Sequence, residues 1–134
     1  MIAKLRNYRL SPKKANIVAE LVRKKHVVEA VNILKFTNKK MAQPLKKLIQ
    51  SATANAENNF KQNKETLYVK EIIVNEGPTI KRHIPISKGR VHPIKKRSSH
   101  ITVKLETKVM IEEEIKEKKN ETKKTNNKTT NTQK

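Results

Sequence analysis

The stretch Gly77 to Leu105, GPTIKRHIPISKGRVHPIKKRSSHITVKL, decides how this chain is read. It contains no Asp or Glu, and it carries Lys81, Arg82, Lys88, Arg90, Lys95, Lys96, Arg97 and Lys104. Both glycines of the protein, Gly77 and Gly89, fall within it, with three of the five prolines, Pro78, Pro85 and Pro93. Like charge concentrated on a segment with little to bury repels itself in water. A polyanion that neutralises it is the natural reason for such a segment.

Strands flank it. Leu67 to Asn75, LYVKEIIVN, is rich in β-branched and aromatic residues, and Ile101, Val103 and Leu105 alternate with Thr102 and Lys104. Joined through the basic segment, they predict a long antiparallel hairpin with arms from Lys70 to about Pro85 and from Val91 to about Val109. Ten residues of arm would project roughly 30 Å. An isolated ribbon of that length is marginal in water, so it is expected to be mobile when free and fixed by what it binds.

Ahead of the hairpin, Ile2 to Leu10 is a strand candidate. Ser11 and Pro12 read as a cap and a first helical residue, with Ala15, Val18, Leu21 and Val22 at helical spacing up to about Lys24. A second helix runs from Val27 to about Leu34, with Val28, Val31 and Leu34 as its stripe, or Val27, Ala30, Val31 and Leu34. Asn38 is a candidate cap for a third helix to about Asn59, its stripe Leu45, Leu48, Ile49, Ala52, Ala56 and Phe60. Pro44 bends that helix if it starts at Lys39 and sits comfortably if it starts near Gln43.

The expected fold is therefore α+β: three helices on a small antiparallel sheet, with a long extended β-hairpin and a disordered C-terminal tail. The expected domain is 1–112, with a body of 1–76 and 101–112 and a hairpin of about 77–100. Residues 113–134 form a Lys/Asn/Thr-rich tail. It has no apolar residue after Ile115, so it is expected to be disordered from about Lys116.

The 134 residues carry 32 Lys and Arg against 12 acids, all Glu, for a net charge of +20. That imbalance points to nucleic acid first and to an anionic membrane surface second. The membrane reading fails because the charge sits on a β segment and not on an amphipathic helix. No apolar run approaches the ~20 residues of a membrane span. Absence of Cys excludes disulfides and thiol chemistry and fits a reducing compartment such as the cytosol.

Catalysis lacks support. His26, His83, His92 and His100 have no metal-site spacing, and the last three sit among cations that repel a metal. No phosphate-binding glycine loop or nucleophile elbow is present, and Glu112, Glu113 and Glu114 point in different directions. Neither a cofactor nor a metal is expected.

Tyr8, Phe36, Phe60 and Tyr68 all fall in periodic segments and are expected to pack in the core, leaving no stacking platform. Recognition is then of phosphate and shape. Lys acts as a point charge, whereas Arg82, Arg90 and Arg97 can make forked contacts. If all eight cations of the segment neutralised phosphates, the log–log salt slope would be about −6 to −7. Lys13, Lys14, Lys46 and Lys47 read either as solvated helix faces or as further contacts.

SPKKANIVAELVRKK, VVEAVNILKF, KLIQSATANAENN, IIVNEGPTIKRHIP and KGRVHPIKKRSSHITVKL, in this order, resemble the large-subunit ribosomal protein twenty-two family of bacterial type, over about residues 2 to 105. The resemblance implies a structural role in the cytoplasmic ribosome, binding of large-subunit ribosomal RNA, contact with neighbouring large-subunit proteins and early entry into subunit assembly. The RNA-binding residues it implies are Lys13, Lys14, Lys81, Arg82, Lys88, Arg90, Lys95, Lys96, Arg97 and His100. It also implies a hairpin tip lining the polypeptide exit tunnel beside the nascent chain, formed by Pro85, Ile86, Ser87, Lys88, Gly89, Arg90, Val91 and His92. Ile86 stands where the family usually has arginine, so no cation contact is carried over there. Lys24 replaces a usual helix-ending glycine, and Asn38 a common proline. A generic nucleic-acid architectural protein is the alternative reading.

Overall fold

The computed structural model describes residues 1–107; the end of the return arm at Val109, the domain limit at 112 and the expected tail lie outside these described residues. In chain order the elements are β1 (Ile2–Tyr8), α1 (Pro12–Glu20), α2 (Val27–Phe36), α3 (Ala42–Phe60), β2 (Leu67–Glu76), β3 (Ile80–Pro85), β4 (Val91–Lys96) and β5 (Ser99–Thr107). One-turn 3-10 helices at Lys64–Thr66 and Ser87–Gly89 complete the path. The body sheet has the antiparallel order β1-β5-β2, and β3 pairs with β4 alone. This is the expected α+β arrangement of three helices on a small antiparallel sheet.

β5 is the central strand, and its residues alternate between buried and half-buried along its length. Ile101, Val103 and Leu105 face the helices with Leu67, Val69 and Ile72 of β2 and Ala3 of β1. α3 covers β1 and β5, and α2 lies against α3. The helical contribution is rich in alanine: Ala15, Ala19, Ala30, Ala42, Ala52 and Ala56 are buried, with Leu34, Leu45 and Ile49 between them. Small residues bring the helix axes close, and each fully buried Leu or Ile contributes ~1.5–3 kcal/mol.

Helix ends depart most from expectation. α1 stops at Glu20, not near Lys24, and Leu21 is exposed, whereas Val22 is buried. Lys24 takes the left-handed conformation (φ 61°) that glycine adopts freely. The turn is held because the Lys24 N–H donates to the Val69 carbonyl and the Val69 N–H to the Lys25 carbonyl, each at 2.9 Å. In α2 the second stripe is correct: Val27, Ala30 and Leu34 are buried and Val28 is exposed.

α3 begins after Met41, not at Asn38, so Pro44 lies in its first turn, where its missing N–H has no partner to lose. At the other end Lys61 adopts φ 50° and the Gln62 N–H reaches back to the Ala56 carbonyl at 3.2 Å, a glycine-type cap made by lysine.

Three of the four aromatics expected in the core lie outside it: Tyr68 is half-buried on the face of β2 opposite Leu67 and Val69, where its hydroxyl donates to Glu106. Phe36 is 89% exposed and Phe60 58% exposed. Phe36 follows Leu34 by two residues, about 200° around the helix, which turns it away from the core. Phe60 is the last residue of α3.

Candidate nucleic-acid interface

The hairpin is made in two stages that differ in register. β2 and β5 pair up to Glu76 opposite Ser99, and β3 and β4 pair from Ile80 opposite Lys96 to Pro85 opposite Val91. Between them, residues 77 to 79 stand against only 97 and 98, so the outgoing arm holds one extra residue. A second bulge falls between Val69 and Glu71. The arms are therefore interrupted where the sequence predicts a continuous ladder.

Gly77 is the reason the root closes. Its N–H donates to the Ser98 carbonyl at 3.0 Å, and the Ser98 hydroxyl donates to the Pro78 carbonyl at 2.7 Å. A Cβ at Gly77 would lie 2.6 Å from Ser98 Oγ and 3.2 Å from His100 Nε2. At the tip, the Ile86 N–H donates to the Arg90 carbonyl at 2.8 Å. Lys88 (φ 60°) and Gly89 (φ 68°) turn the chain there. Nothing lies within 4 Å of a Cβ at Gly89, so backbone conformation and not space favours glycine.

Cross-strand pairing sorts the hairpin residues into two faces. Ile80, Arg82 and Ile84 share one with Lys96, Ile94 and His92; Lys81, His83 and Pro85 share the other with Lys95, Pro93 and Val91. Every residue of β3 is exposed, and in β4 only Ile94 is half-buried. Lys81 stands directly opposite Lys95, and like charges so placed destabilise a ribbon.

The predicted RNA-binding residues occupy three settings. Among the described residues, Lys81, Lys88, Arg90, Lys95 and Lys96 make no ion pair with the protein, and Arg82 only donates to the adjacent Lys81 carbonyl at 2.9 Å. Arg97 sits at the root, 2.7 Å from Glu76, and Lys104 lies in the body, 2.8 Å from Glu71. Those two carboxylates partly satisfy them. Six free cations remain, which lowers the expected salt slope to about −4 to −5. Lys70, in the body, is likewise paired with Glu106, whose second oxygen accepts from Tyr68 at 3.1 Å.

His100 lies at the root and accepts the Asn7 N–H on Nδ1 at 3.1 Å. The neutral ring then carries its hydrogen on Nε2, above Gly77. Asn7 reaches it through a bulge in β1, where φ is 54°. Lys13 and Lys14 are exposed in the first turn of α1, which packs beside β2, and Lys13 lines a groove shared with Glu71 to Val74.

Cations that sequence order does not single out gather at the same end. Ser99 pairs with both Tyr8 and Glu76, which places the end of β1 beside the hairpin root. The Tyr8 hydroxyl lies 3.4 Å from the Lys40 carbonyl and brings the α2–α3 turn there too. Exposed Arg6, Arg9, Lys39 and Lys40 thus join the collar around the root. Alternation along Ile2 to Tyr8 is the signal that would have turned Lys4 and Arg6 outward.

The described residues hold no group of three or more His, Cys, Asp or Glu side chains that could hold a metal, and no helix among them is long and apolar enough to cross a membrane.

An α+β body extended by a cationic ribbon with little internal neutralisation belongs to the class of proteins that anchor to a folded polyanion through a projecting arm. The family described as Ribosomal protein L22p/L17e matches residues 3–106, and the chain belongs to this family. It is similar to proteins named large ribosomal subunit protein uL22. The relative from Fusobacterium nucleatum is 54% identical over 95 residues, covering 71% of this chain and 86% of the relative. That from Ligilactobacillus salivarius is 52% identical over 101 residues, covering 75% and 88%. A third, from Rubrobacter xylanophilus, is 52% identical over 97 residues, covering 72% and 76%.

Proposed function

We propose that this chain is a structural constituent of the large subunit of the cytoplasmic ribosome, where it binds large-subunit ribosomal RNA and supports early subunit assembly. Family membership is the single observation that carries this reading. The six hairpin cations that have no ion-pair partner among the described residues supply its physical basis. Lysine and arginine side chains on a narrow ribbon can enter between RNA segments that would otherwise repel one another. Neutralising them releases counterions and holds the segments together. The role is structural and not enzymatic.

The finer reading assigns parts. Lys81, Arg82, Lys95 and Lys96 on the hairpin arms grip RNA, with Arg97 and His100 at the root and Lys13 and Lys14 on the body. Residues 85 to 92 form the tip and line the exit tunnel beside the nascent chain. The tip carries Lys88 and Arg90 as its only cations, with exposed Ile86 and Val91, and so suits a passage wall better than a phosphate clamp. The body also meets neighbouring large-subunit proteins. The proposed domain runs over 1–112, with 113–134 outside it.

A tagged copy tests the assignment. It is expected to co-sediment with the large subunit through a moderate salt wash, and a variant lacking 84–94 is expected to keep a folded body and still assemble. Loss of the full chain from the particle in that wash would overturn the reading. So would duplex DNA competing with ribosomal RNA on equal terms, the mark of a generic architectural protein.

A further inference from the structure

The ring of Phe36 is 89% exposed at the end of α2, although the turn that follows it is firmly built. The Thr37 N–H and hydroxyl both reach the Ile33 carbonyl, at 3.1 and 2.8 Å. The Lys39 N–H donates to the Thr37 carbonyl at 3.0 Å, and the Ala42 N–H to the Lys39 carbonyl at 2.9 Å. Tyr8 holds the far side through the Lys40 carbonyl. Phe36 therefore projects from an ordered support.

Its surroundings are cationic. Lys35, Asn38, Lys39 and Lys40 are all exposed beside it, and no acid occurs in the sequence between Glu29 and Glu57. The other exposed apolar residue of α2, Val28, lies eight residues back, ~12 Å along the helix, and Ile33, one turn back, is half-buried against the core, so Phe36 is the exposed apolar side chain at this end of α2. An isolated aromatic ring among lysines is poorly suited to a protein–protein interface core, where lysine is depleted. It matches the recognition of single-stranded RNA, in which a ring stacks on a splayed base and cations hold the phosphates on either side.

We propose that the α2–α3 turn is a second RNA contact, in which Phe36 stacks on an unpaired base while Lys35, Lys39 and Lys40 neutralise the flanking phosphates. The contact rests on the RNA-binding function proposed above and extends it from the hairpin to the body. Because the turn lies at the root end of the hairpin, one RNA surface can meet both.

The test measures binding of the full chain to naked large-subunit ribosomal RNA across a salt series. Phe36→Ala and Phe36→Leu are expected to weaken binding by about tenfold to a hundredfold, the range found on truncating stacking aromatics, with the salt slope unchanged. Phe36→Tyr keeps the π face and should stay within about twofold of the parent. Replacing Lys39 and Lys40 together with Gln should reduce the slope by about two. Ultraviolet crosslinking should place a nucleotide on the peptide containing Phe36. Salt-independent binding by the parent chain would sink the function itself. A salt-dependent parent with Phe36→Ala binding equally well would sink the stacking contact alone. Retention by Phe36→Leu, or an effect of Phe36→Ala seen only when other ribosomal proteins are present, would also overturn it and point to an apolar or protein contact. Unchanged melting of Phe36→Ala, expected for so exposed a ring, separates either result from misfolding.

Discussion

The body and the hairpin are made by the same two passes of chain, yet they are held by opposite means. In the body, β2 and β5 alternate, and the inward residues Leu67, Val69, Ile72, Ile101, Val103 and Leu105 are almost wholly buried. Beyond Gly77 the ladder continues as β3 and β4, with no helix of the described residues against either face, and nearly every residue is exposed. The charges differ as well. Glu71 and Glu76 each hold a cation of the body or root, while Lys81 and Lys95 face one another across the ribbon. One region is stabilised by what it excludes from water; the other is left to be completed by an external anion. A single hydrogen-bonding scheme can thus serve as a fold or as an arm, depending on what covers it.

The largest effect that sharpens this contrast comes from the core. Leu45→Ala empties a site that is fully buried beneath α3 and should cost ~2–5 kcal/mol, read by denaturant unfolding. Truncating the exposed Ile84 should leave the same transition in place, and equal losses at both sites would break the distinction. Gly77→Ala probes the joint. The added Cβ displaces the Ser98 hydroxyl from the Pro78 carbonyl, so a loss of about 1–3 kcal/mol is expected. Hydrogen exchange should then rise at the root before the centre of β5.

The smallest effect has opposite signs in two assays. Lys95→Glu turns the like-charge pair with Lys81 into an attractive one, which should favour the free ribbon by about 0.2–1 kcal/mol. The same change should weaken binding to ribosomal RNA, with the salt slope reduced. Greater exchange protection in the free hairpin together with weaker RNA binding is the expected pair of results. Tighter binding would remove charge neutralisation as the hairpin's purpose.

Most of the secondary structure was readable in the chain because its cause is local. The β-branched run of Leu67 to Asn75, the alternation of Ile101 to Leu105 and the Ser11–Pro12 start all act over a few residues. The helix ends were harder to read because tertiary bonds override propensity: Lys24 and Lys61 occupy left-handed positions that glycine would announce. Pro44 could be placed only once Met41 was seen to precede the helix. The bulges left no sequence mark, since an extra residue is defined only against its partner strand. For the candidate interface, the hairpin cations could be read from composition, whereas the collar of Arg6, Arg9, Lys39 and Lys40 required the pairing of Tyr8 with Ser99. Phe36 lies beyond the expected end of α2 at about Leu34, so its outward helical phase, two residues past Leu34, emerges only with the observed end of the helix.

The extra residue between Glu76 and Ile80 also sets a phase. Side chains along a strand alternate like the teeth of a zipper, so one residue added or removed on a single arm exchanges which side of the ribbon each tooth meets. In β2 beyond its bulge, even-numbered Ile72 points toward the helices and pairs with odd-numbered Val103; beyond the root it is odd-numbered Lys81 and His83 that share a face with odd-numbered Pro93 and Lys95. The three residues 77 to 79 therefore act as a gear between two alternations. Chain length there, more than the identity of any one cation, selects whether a given flank of the arm offers isoleucine or lysine.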